Sequence, residues 1–172
     1  MIVEHAMSFT NADGGKLYIV SADRKYLNFE IVRNVSLKVR MGGTGTKIIW
    51  PPVKLVNDDG IENHANVSAH VALTGETVNL QDVYDVEGFD FTGTRAFDKS
   101  TQYRSKSMLI VPLRDHENEI IGVLQLLNAQ DVRNKSITSF SPEAQSMALS
   151  LAYQAAVTIT KNRLIQDLEN LF

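Results

Sequence analysis

MLIVPL (Met108–Leu113) and IIGVLQLLN (Ile120–Asn128) are two short apolar runs separated by the charged stretch Arg114–Glu119. Each run is too short for a helix that covers a sheet and is rich in β-branched residues. The polar stretch between them suits a tight connection, so the pair predicts a hairpin at the centre of a sheet.

Working outward, Lys16–Ser21 (KLYIVS) and Tyr26–Arg33 (YLNFEIVR) predict a second hairpin, turned at Ala22-Asp23-Arg24-Lys25. Before it, Ile2–Phe9 carries Ile2, Val3, Ala6 and Phe9 on one helical face, which predicts a short helix ending at Asn11–Gly15. Ser36–Lys47 contains Gly42, Gly43 and Gly45 but lacks the Gly-Lys-Ser/Thr ending of a phosphate-binding loop, so it is expected to be a plain flexible loop. Pro51-Pro52 restricts Ile48–Val56 to a sheet edge or a crossing strand, and Asn57–Gly60 makes a turn.

Asn66–Thr74 (NVSAHVALT) has an N-cap residue at one end and Gly75 just past the other, the punctuation of a short helix. Tyr84–Gln102 is polar, aromatic and long for a connection, and is expected to be a lid or binding loop. Ser141-Pro142 opens a final helix with no Gly or Pro before Phe172. A rod of that length, near 45 Å at about 1.5 Å per residue, exceeds what a sheet this size needs, so its last turns are expected to leave the domain. Val157, Leu164, Leu168 and Leu171 form a heptad-like seam interrupted by Lys161. That seam either pairs with a second copy or is one buried face followed by frayed turns.

These elements predict one α+β domain over residues 1–172: a terminal helix remnant at 1–14, the sheet, pocket and lid at 15–140, and the long helix at 141–172. The formal net charge of −3, with no basic stripe, argues against nucleic acid. The first residues lack the flank and apolar run of a signal peptide, and no stretch approaches the apolar length of a membrane span. A cytoplasmic location, with no membrane partner, is the expectation. With no cysteine there is no thiol catalysis, thiolate metal site or sulfur-linked chromophore. His5, His64, His70 and His116 are scattered without metal-ligand spacing. His70 is read as a packing residue and Asp115-His116 as a solvated turn, and no catalytic set emerges, so the chain is expected to be regulatory and not an enzyme.

Two stretches resemble the GAF family: AHVALTGETVNLQDVY (Ala69–Tyr84), and FDKSTQYRSKSMLIVPL (Phe97–Leu113) with IIGVLQLLNAQD (Ile120–Asp131). They are similar to GAF domains of cyclic-nucleotide phosphodiesterases and cyclases. From about Gly14 through Leu171 the chain also resembles the GAF domain that precedes HD-type metal-dependent phosphohydrolase domains in bacterial sensor proteins. The resemblance implies a GAF (PAS-like) fold: a six-stranded antiparallel sheet flanked by helices, a long C-terminal helix, homodimerisation through the terminal helices, and a small-molecule pocket. It implies a sensor acting on a C-terminal output domain such as a phosphodiesterase or phosphohydrolase, with cyclic GMP or cyclic AMP as regulatory ligand. The matching ligand positions are Asn34, Val67, Ser68, Asp98, Thr101, Ser105 and Gln125.

The family's Asn-Lys, Phe, Asp-Glu signature is incomplete here. Asn128 and Phe140 match, but Ala129 stands for the Lys and Glu143-Ala144 for the acidic pair. Any ligand must therefore be retained another way, or be a different one. The alternative is a dimerisation module whose degenerate pocket is filled by Phe89, Phe91 and Phe97. A GAF-type methionine sulfoxide reductase is rejected, because its chemistry needs thiols.

Overall fold

A computed structural model describes every residue, Met1–Phe172. The chain runs α1 (Ile2–Thr10), β1 (Ala12–Val20), β2 (Tyr26–Asn34), β3 (Val39–Met41), β4 (Val53–Lys54), α2 (Val67–Thr74), β5 (Val78–Leu80), α3 (Thr92–Thr101), β6 (Met108–Arg114), β7 (Ile120–Gln130), β8 (Ile137–Thr138) and α4 (Pro142–Asn170). Six strands form the antiparallel path β3-β2-β1-β7-β6-β5, as the fold predicts, and the two-residue strands β4 and β8 add to β2 and β7.

The β6–β7 hairpin forms where the apolar runs place it, and β1 pairs along the other side of β7. β7 is buried on both faces from Ile121 to Ala129, which is why it reads as a nearly unbroken apolar run and not as an alternation. Pro112 lies beyond the end of β5, which covers only Met108–Ile110, so its missing N–H falls on a strand with one open edge.

One face of the sheet carries α1 and α4. Leu17, Ile31, Leu109, Leu124 and Leu126 meet Val3, Ala6, Ala148, Ala152 and Ala156 there. The small side chains let both helices approach closely. Gly15 serves the same end, since a Cβ there would lie 2.8 Å from Val3 Cγ1. The other face carries α2 and the loops around it, with Tyr18, Val20, Leu27, Val71, Ile110 and Val123 in the core.

Several local expectations change. Strand β1 starts at Ala12, so residues 12–14 belong to the sheet and not to the N-terminal helix segment. Phe9 is exposed, and Met7 takes its place on the buried face of α1. Ser36–Lys47 contains β3, and Gly42, at φ 80°, turns the chain back so that its N–H bonds to Thr46 O at 2.7 Å. Half of Tyr84–Gln102 is helix α3, whose start is held by Asp90 Oδ1 accepting from the Thr92 N–H and hydroxyl. Asp115 is not solvated: it is 8% exposed and accepts from the N–H groups of Glu117 and Glu119, closing the β6–β7 turn.

α2 forms as its punctuation predicts. Asn66 Oδ1 accepts from Ala69 N–H at 3.0 Å, and Gly75, at φ 76°, ends the helix. Ser141 caps α4 in the same way. The end of α4, residues 161–170, is exposed throughout, so the rod does run past the sheet. No helix is long and apolar enough to cross a membrane.

Candidate functional site

On the face opposite α4, a cavity of about 590 Å³ opens between the sheet, α2, α3 and the Trp50–Val53 segment. This size suits a small ligand. A second hollow, of about 710 Å³, lies across the sheet between Ile2, Leu17, Ile31, Leu151 and Ile159. The first is the better site because buried polar groups from several elements, Asn34, Ser68, Ser105 and Gln125, converge in it, whereas the polar residues lining the second are all exposed.

Period-two geometry builds the floor. Lys16 and Tyr18 of β1 and Gln125 and Leu127 of β7 face the cavity, and Lys16 stands directly across from Gln125 in the register. Gln125 is 6% exposed; its Oε1 accepts from Tyr18 O–H at 3.0 Å and Ser68 O–H at 3.2 Å, while Nε2 reaches Met108 Sδ at 3.2 Å. Burial pushes the Tyr18 hydroxyl pKa up, so Tyr18 stays a neutral donor.

An aromatic series runs up one wall. Tyr18 to Phe29 is 4.7 Å between ring centres, Phe29 to Trp50 5.3 Å, and Trp50 to Phe97 5.8 Å, the last two edge to face. Lys16 Nζ sits 5.1 Å from the centre of the Trp50 ring.

Five of the seven expected ligand positions line this cavity: Asn34, Val67, Ser68, Ser105 and Gln125. Asp98 and Thr101 do not. Thr101 O–H bonds back to Phe97 O within α3, at 2.7 Å. Asp98 is 3% exposed and acts as a clamp, with Oδ1 accepting from Ser105 O–H at 2.8 Å and Oδ2 from Ser105 N–H at 2.9 Å and Tyr84 O–H at 2.5 Å. It ties α3 to the segment leading into β6. Arg104 and Arg95 stack over the Tyr84 ring at 3.7 and 4.5 Å and close the clamp from outside.

Phe91 and Phe97 of the proposed plug line the walls, while Phe89 packs instead against His70. His70 also meets His64, so its part is in packing, at the surface of α2. Ala129 is buried on the far side of the sheet with Phe140 and Ala148, so the position of the missing signature Lys does not face this cavity.

Lys16, Phe29 and Trp50 are site residues that the motif comparison does not single out. Lys16 is half-buried, and burial lowers its amine from 10.5 to about 8, an effect that the Asp98 charge partly offsets. Below pH 8 both folded and unfolded chains carry the proton, so the fold bears the full cost of a desolvated cation. Between pH 8 and 10.5 the folded chain releases that proton while the unfolded chain keeps it, and stability climbs. Lys16→Met is therefore expected to stabilise the protein by about 2 kcal/mol at pH 7, allowing for water in the cavity. The gain should fade as pH approaches 10.5. Urea unfolding at several pH values measures it, and a gain independent of pH would contradict the assignment.

Comparison with known proteins follows the same lines. The profile of the GAF domain family matches residues 1–159. A dual 3′,5′-cyclic-AMP and -GMP phosphodiesterase 11 from Drosophila melanogaster is 39% identical over 62 residues, a segment that makes up 36% of this chain and 4% of that protein. Among solved structures, residues 122 to 287 of a methyl-accepting chemotaxis protein superpose with a TM-score of 0.65 at 18% identity, covering 95% of this chain and 87% of that one. The GAF domain of a phosphoenolpyruvate-protein phosphotransferase from Coxiella burnetii gives a TM-score of 0.64 at 14% identity, covering 96% and 82%.

Proposed function

The chain belongs to the GAF domain family, and on that premise we propose that it is a regulatory module that binds a small molecule in the cavity between the sheet, α2 and α3. One observation carries the proposal: a cavity of about 590 Å³ persists although Phe91 and Phe97 already contribute to its walls, so the lid does not plug it. Ser68, Ser105 and Gln125 converge in it beside an aromatic wall, a combination that suits a heteroaromatic ring with polar edges. Cyclic GMP or cyclic AMP is the ligand this reading favours, supported by the segment shared with the dual phosphodiesterase.

The readout runs through the sheet. β1 and β7 form the cavity floor on one face and pack against α1 and α4 on the other, so a change in the floor reaches the long helix directly. Along α4, Leu149, Tyr153, Val157, Leu164, Leu168 and Leu171 are exposed, a stripe that supports pairing of two copies and a signal passed along α4 to a C-terminal output domain such as a phosphodiesterase or phosphohydrolase.

A ligand that binds only the folded state raises the unfolding midpoint by mass action. At about one hundred times its dissociation constant, cyclic GMP or cyclic AMP should stabilise the protein by about 2.7 kcal/mol, a rise of roughly 5–10 °C. A thermal-shift titration measures this. No rise with either nucleotide at about 1 mM, some −4 kcal/mol of affinity, would remove both as the ligand.

A further inference from the structure

We propose that Lys16 is the anion anchor of the cavity, and that the ligand class is a flat heteroaromatic ring bearing one negative charge that lies between the Lys16 ammonium and the Gln125 amide. This rests on the cavity being a ligand site and adds which chemistry it selects. No ligand position implied by the family resemblance is cationic.

Three charged residues border the cavity, and two are committed elsewhere. Arg33 donates to Glu4 Oε1 at 3.0 Å and to the carbonyls of Val32, Met41 and Gly42. Asp90 holds the first turn of α3. Lys16 alone has no hydrogen-bonded partner; the Asp98 charge acts on it only through space, and Asp98 gives its oxygens to Ser105 and Tyr84. The face of Trp50 is the other electron-rich group beside it. An inward lysine at the centre of a sheet burdens the folded chain, and a leucine or methionine would pack there without that burden.

The remaining hydrogen-bonding capacity sorts by sign. Lys16 supplies ammonium donors, and Gln125 Nε2, directly across the β1–β7 register, has a donor that its weak contact to Met108 Sδ leaves free. The ammonium calls for an anionic acceptor, and the amide can add a second hydrogen bond to it. Ser68 and Ser105 spend their hydroxyl protons on Gln125 and Asp98, so toward the cavity they offer lone pairs. Those lone pairs suit ring N–H or amino donors. Trp50 and Phe97, set edge to face, supply aromatic surface on that wall.

Calorimetric titration at pH 7 of the full chain and of its Lys16→Met and Lys16→Arg variants tests this with matched pairs of probes. Cyclic GMP and cyclic AMP are compared with guanosine and adenosine, and indole-3-acetate with indole-3-acetamide. The expected result is that the charged member of at least one pair binds the wild type about tenfold or more tightly than its neutral partner, that Lys16→Met brings the ratio to about threefold or less, and that Lys16→Arg retains most of it. Preference in the nucleotide pair alone identifies a phosphodiester ligand, and preference in the indole pair alone an aromatic carboxylate. Equal binding of charged and neutral members, or a preference that survives in Lys16→Met, overturns the anchor while the cavity remains a ligand site. Binding of none of the probes at about 1 mM overturns the ligand-site reading and the anchor with it. A cooperative melt of Lys16→Met at or above the wild-type midpoint shows that the variant is folded.

Discussion

Asp98→Ala is expected to lower the midpoint of thermal unfolding by roughly 6–12 °C, from a loss of about 3 kcal/mol. The carboxylate accepts from the Ser105 N–H, the Ser105 hydroxyl and the Tyr84 hydroxyl, and Asp98 and Ser105 are only 3% and 2% exposed. Removing the acceptor leaves buried donors without partners, which costs more than the hydrogen bonds themselves contribute. Ser105→Ala removes one donor and leaves the carboxylate two others, so about 1 kcal/mol is expected there. Because α3 is tied down through this clamp, Asp98→Ala should also speed hydrogen exchange of the α3 amides relative to those of β7. Equal losses for Asp98→Ala and Ser105→Ala, with unchanged exchange in α3, would place the residue outside any clamp.

The second large effect is expected at Asn128. Its side chain accepts from Lys106 N–H at 2.7 Å and donates to Arg104 O at 2.8 Å and Tyr103 O–H at 3.0 Å, and its backbone lies at φ 56°. Asn128→Ala loses these bonds and places an alanine in the left-handed region, for a total of about 3–4 kcal/mol. Asn128→Gly loses the same bonds without the backbone penalty and should be about 1 kcal/mol less destabilising. Urea unfolding of both variants measures the difference. An alanine variant no worse than the glycine one would contradict the strained-backbone account.

Asn128 also shows how a motif can be legible while its job is not. The sequence marks it by its place before Ala129 and ahead of Phe140, the remains of a latch signature. In the fold Asn128 holds the chain between α3 and β6 in place, and Ala129 and Phe140 serve the core beneath α4. The β6–β7 and β1–β2 hairpins, α2 and α4 follow from apolar runs and caps, because local pattern and tertiary burial agree there. Helix α3 is hidden because TGTRAFDKST offers only Ala96 and Phe97 as apolar side chains and buries only Asp98, so tertiary hydrogen bonds do most to fix it.

The cavity lining is half legible. Ser68, Ser105 and Gln125 come with the family resemblance, but Lys16 lies in the β1 run KLYIVS, where a lysine reads as the polar end of a strand. The signal that could find it is its phase: Lys16 shares a parity with Tyr18 and Val20, which face the α2 side of the sheet. Trp50 is harder still, because a tryptophan beside Pro51-Pro52 has no pattern to show which wall it joins.

Trp50 makes the central claim directly measurable, since it is the chain's single tryptophan and stands in the cavity wall 5.1 Å from the Lys16 amine. Its emission, titrated with cyclic GMP and cyclic AMP and corrected for nucleotide absorbance, should change saturably and with the same midpoint as the heat of binding. Heat of binding with an unchanged Trp50 emission would place the ligand elsewhere on the protein and contradict the assignment of this cavity.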